Sequence, residues 1–325
     1  MRSSANKRSG AGAVQTAVMK AVVFNNYGGP EAAEVTSTPR PEPAPGEALI
    51  RVRAASINPV DWKVLGGMRG PGKEAGFPKI LGLECAGIVE ETGSSAPYLK
   101  TGSHVIGHSD MNRLGAFAEY LALPEKQIYA KPEQVSFEAA ACMPIAACTA
   151  LQALRNLGNI SAGKKVLING ASGGVGHFAV QIARIFRAEV TAVCSTAAMD
   201  MVRRLGAANV IDRTREDFTQ GNARYDIIFD AVAKSSFAAC NRVLSDKGVY
   251  VSTQPTEPAP KQSSKRAITV HNTPSAEDIG WLTAALEAGT LNAVIDRTFP
   301  LDEAGEALAY SISEKAHGKV VLRID

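Results

Sequence analysis

The segment KKVLINGASGGVGHFAVQIA, residues 164–183, constrains the fold of this chain more than any other. An apolar strand, Val166–Ile168, runs into Gly170-Ala171-Ser172-Gly173-Gly174-Val175-Gly176. A helix follows, with Phe178, Val180, Ile182 and Ala183 at its apolar positions. Glycines let the backbone turn sharply and come close to a pyrophosphate, whose charge then meets the positive end of a helix. A second strand, EVTAVCS, returns about 20 residues later, which is the context that turns a glycine triplet into a dinucleotide signature. Ser172, Gly173, Gly174, Val175 and Gly176 are therefore candidate cofactor contacts. The competing reading is a tight turn in an α/β domain that binds no nucleotide.

The residues after the second strand bear on which cofactor is held. Sites that prefer NAD usually end this strand on Asp or Glu, which holds the ribose 2′-hydroxyl. Here the strand ends in Cys194-Ser195-Thr196-Ala197-Ala198, with no acid before Asp200. Ser195 and Thr196 are short donors suited to a 2′-phosphate, and either also serves as an N-cap for AMDMVRRLG. Arg213, after the strand ANVID, is the cation expected over the adenosine. The expected cofactor is NADP(H).

Strands and helices alternate on both sides of this unit from about Pro124 onward, which implies βαβ units and a parallel sheet. Before it, from Lys20 to about Leu123, short strands are broken by Gly and Pro, as in an all-β, partly barrel-like domain. In EALIRVRAASI, residues 47–57, alternate positions carry the period of a half-buried strand. The last two strand candidates, VIDRTFP and GKVVLRI, resemble the first domain, so the C-terminus is expected to complete it. The expected division is an arm at 1–18, a β domain at 19–126 plus 275–325, and a dinucleotide domain at 127–274. Residues 1–18 carry Arg2, Lys7 and Arg8 and no acid, and read as a disordered arm lacking the apolar core of a secretory signal.

The chain has 325 residues, length for about two domains. Lys and Arg total 35 against 32 Asp and Glu, a balance of +3 that is too weak to argue for nucleic acid. No run approaches the ~18 apolar residues of a membrane span. The five cysteines are odd in number and none forms a CxxC pair, so reduced thiols and a cytoplasmic location are expected.

Taken together, INPVDWK (57–63), PxxLGxECAGxV (78–89), GSHV (102–105), FAEYLALP (117–124), MPIAACTALQAL (143–154), the glycine turn, LGAANVID (205–212) and HGKVVL (317–322) resemble the medium-chain dehydrogenase/reductase superfamily. The resemblance is to its zinc-independent quinone oxidoreductase branch and covers nearly all of residues 19–325. It implies an α/β fold with a GroES-like β domain, a doubly wound Rossmann sheet, and an active site in the cleft between them. It also implies a homodimer built on the Rossmann edge, where GVYVST and AITVHNT are candidate edge strands.

The departures from the metal-dependent members carry most of the functional reading. Their three catalytic zinc-ligand positions correspond here to Asn58, Leu83 and Ile145, and the cysteine-rich lobe of structural zinc is missing. An amide and two aliphatic groups do not build a tetrahedral zinc site, so no metal is expected. Without a Lewis acid a simple alcohol is poorly served, whereas a quinone or an enone accepts hydride with little help. The resemblance places Asn58 and Thr149 beside the reacting groups, Asn58 as a donor or as an Asx turn before Pro59. Asp61 is carried as a candidate catalytic or orienting group and Lys319, in HGKVVL, as a cofactor contact. Tyr120 and Tyr250 are weighed as proton donors and read chiefly as packing. The expected partner is a small quinone or enone; the second reading is a nucleotide-binding redox sensor or interaction protein with weak catalysis.

Overall fold

The computed structural model describes residues 17–68 and 76–325. Its centre is a six-stranded, all-parallel sheet in the order Asn209–Asp212, Glu189–Cys194, Lys165–Asn169, Tyr225–Asp230, Leu244–Ser252, Arg266–Thr269. The chain starts in the middle, winds outward one way, returns, and winds out the other. That reversal lies between Lys165–Asn169 and Tyr225–Asp230, and ligands of doubly wound sheets bind beyond the carboxyl ends of strands at such a reversal. The strand ends are joined there, because Asn169 Nδ2 donates to Asp230 Oδ1 at 2.9 Å. The glycine turn begins at the next residue. Parallel strands covered on both faces must be apolar throughout, and Val166, Leu167, Ile168, Ile227, Ile228 and Phe229 are all fully buried.

A seven-stranded sheet forms the second layer system. Its order is Ile295–Pro300, Lys319–Arg323, Glu47–Ile57, Glu84–Thr92, His104–His108, Ile128–Ala130, with Tyr120–Pro124 also pairing with Glu47–Ile57. The long strand Glu47–Ile57 is the hub. Its early residues pair with Tyr120–Pro124 and its late residues, Ala54 to Ile57, with Lys319–Arg323. A small antiparallel sheet of Glu34–Pro39, Val18–Phe24 and Lys79–Ile80 closes the domain. Residues 1–16 of the expected arm lie outside the described residues, and Val18 is already strand, paired with Pro39.

Two expected boundaries move. The first domain does not stop at 126, because Ile128–Ala130 pairs antiparallel with His104–His108. Nor does it resume at 275. Helix Ala276–Glu287 buries Ile279 and Leu282 in the core that contains Val166, Ile168 and Phe178, and Trp281 stacks on Phe186 at 5.8 Å. Amphipathic periodicity announces that a helix has a buried face but not which sheet it will cover. Only the two strands after it return to the first sheet.

Between the sheets runs the helical stretch Phe137–Leu157, interrupted by π turns at Met143–Ala147 and Gln152–Leu157. π turns recur where a helix must re-aim residues toward a site, and this stretch carries both Ile145 and Thr149.

Candidate active site

Asn58 starts the short helix Pro59–Leu65, and Pro59 fits the first helical position because its missing N–H has no partner to lose there. Asp61 Oδ2 accepts the Asn58 N–H at 2.7 Å, so it closes the helix start from inside. Asn58 and Asp61 form a reciprocal capping box at this helix start, and the Asn58 side chain reaches further than the Asx turn expected of Asn-Pro. Its Nδ2 donates to Glu84 Oε1 at 2.6 Å and to the Ser56 carbonyl at 3.2 Å, while its Oδ1 accepts from Lys319 Nζ at 2.6 Å. Both amide hydrogens are thus taken, and Asn58 is 2% exposed. The expectation that it donates to substrate is corrected: it is a positioning group, held by the buried carboxylate of Glu84.

Glu84 is the residue that sequence reasoning misses. It lies next to Leu83, one of the three metal-ligand positions, and is fully buried. Its second oxygen, Oε2, accepts the backbone N–H of Ile145 at 2.7 Å. One carboxylate therefore ties together Asn58 and Ile145, two further positions where metal-dependent relatives place ligands. Its counter-charge is Lys319, whose Nζ lies 3.5 Å from Glu84 Oε1 and also donates to the Ile57 carbonyl at 3.1 Å. All three ammonium hydrogens have acceptors within the cluster. The expectation that Lys319 is a cofactor contact is accordingly corrected, because its charge is turned toward Glu84 within its own sheet and away from the glycine turn. Only its stem lies against the turn: a Cβ built on Gly174 would stand 3.3 Å from Lys319 Cδ.

Asp61 is 1% exposed and its Oδ1 has no hydrogen-bond partner. Burial pushes its pKa up to about 8, with Glu84 adding to the rise and the Asn58 N–H and Lys319 opposing it. At neutral pH it is largely protonated. Thr149, 8% exposed, stands on the π-interrupted helix. Burial lifts the neighbouring thiols Cys85 and Cys142 to about 12, so they stay protonated and unreactive. All five cysteines are buried and unpaired.

Of the two tyrosines weighed as proton donors, Tyr250 has its hydroxyl engaged. Tyr250 is 1% exposed, and its single hydroxyl hydrogen is shared between Asp230 Oδ2 and the Ser235 carbonyl, each 3.0 Å away. Tyr120 packs under the Arg40 guanidinium at 4.5 Å.

The nucleotide turn is built by contact as well as by conformation. A Cβ on Gly176 would sit 2.1 Å from the Gly170 carbonyl, so only glycine lets the helix Gly176–Ile185 begin that close to the strand. The leading N–H groups of any helix lack intrahelical acceptors, and here they open at the sheet reversal. A dinucleotide pyrophosphate fits these residues. At the adenosine end, Ser195 is half-buried and Arg213 exposed, with the Arg213 N–H donating to the Cys194 carbonyl at 2.9 Å, which holds the two strand ends together. Thr196 departs from expectation: its hydroxyl donates to Asp212 Oδ2 at 2.5 Å. Asp212 also accepts from the N–H and hydroxyl of Thr214, and these hydroxyls and the N–H hold its carboxyl below the usual range. Of the two hydroxyls expected at this end, Ser195 remains for a phosphate.

The metal-ligand positions hold no donor set for zinc. Glu84 is taken on both oxygens, and among the described residues no three His, Cys, Asp or Glu side chains come together as ligands. Zinc does not fit these residues.

Residues 44–133 match the profile of an alcohol dehydrogenase GroES-like domain, and residues 205–322 that of a zinc-binding dehydrogenase. The chain is 33% identical to the chloroplast envelope quinone oxidoreductase homolog of Arabidopsis thaliana, over 94% of this chain and 98% of that protein. It is 32% identical to the NADPH-dependent alkenal/one oxidoreductase of the same plant's chloroplasts, over 94% and 79%. Among solved structures, the quinone oxidoreductase from Coxiella burnetii superposes with a TM-score of 0.86 at 29% identity, covering 95% of this chain and all of that one. Likeness of this extent, joined to the sheet reversal and its glycine turn, places the chain in the medium-chain dehydrogenase/reductase superfamily, in its branch of quinone and enone oxidoreductases.

Proposed function

We propose that this protein is a zinc-independent reductase that transfers a hydride from NADPH to a quinone or an α,β-unsaturated carbonyl. The observation that carries this reading is the fate of the metal-ligand positions. Asn58 and Ile145 are bound to Glu84, whose charge is met by Lys319. An internal ammonium–carboxylate pair thus lies against two of those positions, and nothing in it lowers the pKa of an alcohol.

When bound, NADPH supplies the hydride. The chain's own part is placement. The glycine turn receives the pyrophosphate on backbone N–H groups, and Ser195 with Arg213 receives the 2′-phosphate. The saturated Asn58–Glu84–Lys319 cluster gives the cleft a rigid wall whose own polar hydrogens are all engaged. That arrangement suits acceptors already activated, whose oxyanion is protonated by water once hydride has arrived. The high thiol pKa values and full burial of the cysteines disfavour the redox-sensor reading and suit a reducing compartment such as the cytoplasm.

We assign the protein to a homodimer joined at strand Arg266–Thr269. That strand, not GVYVST, is the outermost of the parallel sheet, and an open edge is commonly covered by a second copy.

The test is NADPH oxidation followed at 340 nm with an ortho-quinone and with a short enone. Turnover of either, unaffected by a chelator, supports the reading. Protein that binds NADPH yet accelerates neither overturns it.

A further inference from the structure

His177 is the second residue of the helix that follows the glycine turn, and it is fully buried. Its Nε2 receives the N–H of Val294 at 3.2 Å, so the proton of the neutral ring must sit on Nδ1, which faces the Gly173 carbonyl at 3.0 Å. One side chain therefore joins the middle of the nucleotide turn to the segment just before strand Ile295–Pro300. One turn later on the same helix face, Gln181 repeats the hold. It donates to the Asn292 carbonyl at 2.9 Å and accepts the Asn292 N–H at 2.8 Å.

The link continues across the cleft. The Val294 carbonyl accepts the Lys319 N–H at 2.8 Å, and the Gly318 N–H donates to the Ser172 carbonyl of the glycine turn, also at 2.8 Å. Gly318 has φ +107°, and a Cβ there would lie 2.2 Å from the Val294 carbonyl, so this seam closes only around glycine. Beyond it the Lys319 ammonium reaches Asn58 and Glu84.

We propose that His177 is a positioning residue for the cofactor, clamping the Gly173 carbonyl of the nucleotide turn to Val294 and, through Lys319, setting the turn against the Asn58–Glu84 cluster. This rests on the reading of the glycine turn as the NADPH site. The clamp is permanent across the working pH range, because burial, reinforced by the Lys319 charge, holds the His177 pKa down to about 3.

Four proteins test it: wild type, His177→Leu, His177→Asn and Gln181→Leu, each checked for a cooperative thermal transition. NADPH affinity is measured by fluorescence titration, and kcat at saturating NADPH. The leucine variant is expected to bind NADPH about tenfold more weakly, the effect of one lost buried hydrogen bond. His177→Asn keeps a donor near the Nδ1 position and is expected to retain affinity within about threefold while losing kcat by about tenfold, since the Val294 link is gone. Gln181→Leu removes the bonds to Asn292 and to the His177 carbonyl but leaves the His177 ring on Gly173 and Val294; it should lower the melting temperature and leave NADPH affinity within about threefold of wild type. The clamp is overturned if folded His177→Leu binds and turns over like wild type, or if Gln181→Leu weakens NADPH as much as His177→Leu. A wild type that binds neither NADPH nor NADH overturns the nucleotide reading itself, an outcome distinct from failure of the clamp alone.

Discussion

The Lys319 ammonium lies 2.6 Å from the amide oxygen of Asn58, a residue 261 positions earlier in the chain. The same ammonium is the counter-charge of Glu84, and the two side chains are 2% and 0% exposed. Removing one partner of a buried pair leaves the other charged and unsolvated, at a cost of about 3–5 kcal/mol. Lys319→Met is expected to lose that much stability in urea unfolding, and Lys319→Met combined with Glu84→Gln to recover part of it. A Lys319→Met variant as stable as wild type would show that the pair contributes nothing.

Asp61 gives the protein a pH dependence of known sign. Its folded pKa is raised to about 8, against ~3.9 in an unfolded chain. Between those values the folded state binds more protons than the unfolded one. The stability from this group is therefore full below about pH 4 and is lost as pH rises through its folded pKa. Each tenfold difference in proton affinity between the two states corresponds to about 1.4 kcal/mol, so wild type should lose at least ~2 kcal/mol more than Asp61→Asn between about pH 5 and pH 8. Asparagine keeps an acceptor for the Asn58 N–H, so the helix start survives. Parallel stability curves for the two proteins would refute the raised pKa.

On the proposed NADPH reading, Ser195 is the hydroxyl left to discriminate between cofactors, since Thr196 is held by Asp212. A carboxylate in its place repels the 2′-phosphate and accepts a 2′-hydroxyl. Ser195→Asp is expected to lower NADPH affinity about ten- to hundred-fold, the value of one charge-assisted hydrogen bond or more, with NADH affinity nearly unchanged. Equal tight binding of NADH and NADPH by wild type would remove the basis for the preference.

Dialysed protein is expected to contain far less than one zinc per chain by elemental analysis, with turnover unchanged by chelator. A stoichiometric zinc whose removal abolishes activity and whose return restores it would contradict the reading of Asn58, Leu83 and Ile145.

Strand Arg266–Thr269 at the sheet edge should hold two copies together. Light scattering at micromolar concentration is expected to give twice the mass of one chain. Ala267→Pro, which removes an N–H that alternates away from the inward-donating Val270 N–H and so faces the open edge, should shift it toward one. A wild-type mass of a single chain excludes the dimer.

The parts of this molecule legible in its sequence are those where backbone geometry dictates the residue. Gly176 announces a helix packed on a strand because nothing larger fits. The terminal strand GKVVLRI is recognisable as a short, apolar, β-branched strand that follows the last helical segments. What is not legible depends on which side chains tertiary folding brings together. Glu84 and Lys319 stand 235 residues apart, and neither carries a local sign of the other. Thr196 looks free because Asp212, on the neighbouring strand, cannot be seen to adjoin it until the strand order is known. His177 reads as an ordinary core histidine, and its two ring contacts belong to segments 4 and 117 residues away.

Strand Lys319–Arg323 has a consequence for synthesis on the ribosome. It lies between Glu47–Ile57 and Ile295–Pro300 in the finished sheet, yet it is made after more than 260 intervening residues. Until it emerges, the late half of Glu47–Ile57 has an unpaired edge and Glu84 has no cation. The sheet built on Glu47–Ile57 is thus finished only after the parallel sheet has been made, and a nascent chain halted before residue 318 has no assembled cleft. Translation must run past Lys319 before the buried ion pair and the full sheet can form, and until then the strand edge is open to pairing with another chain.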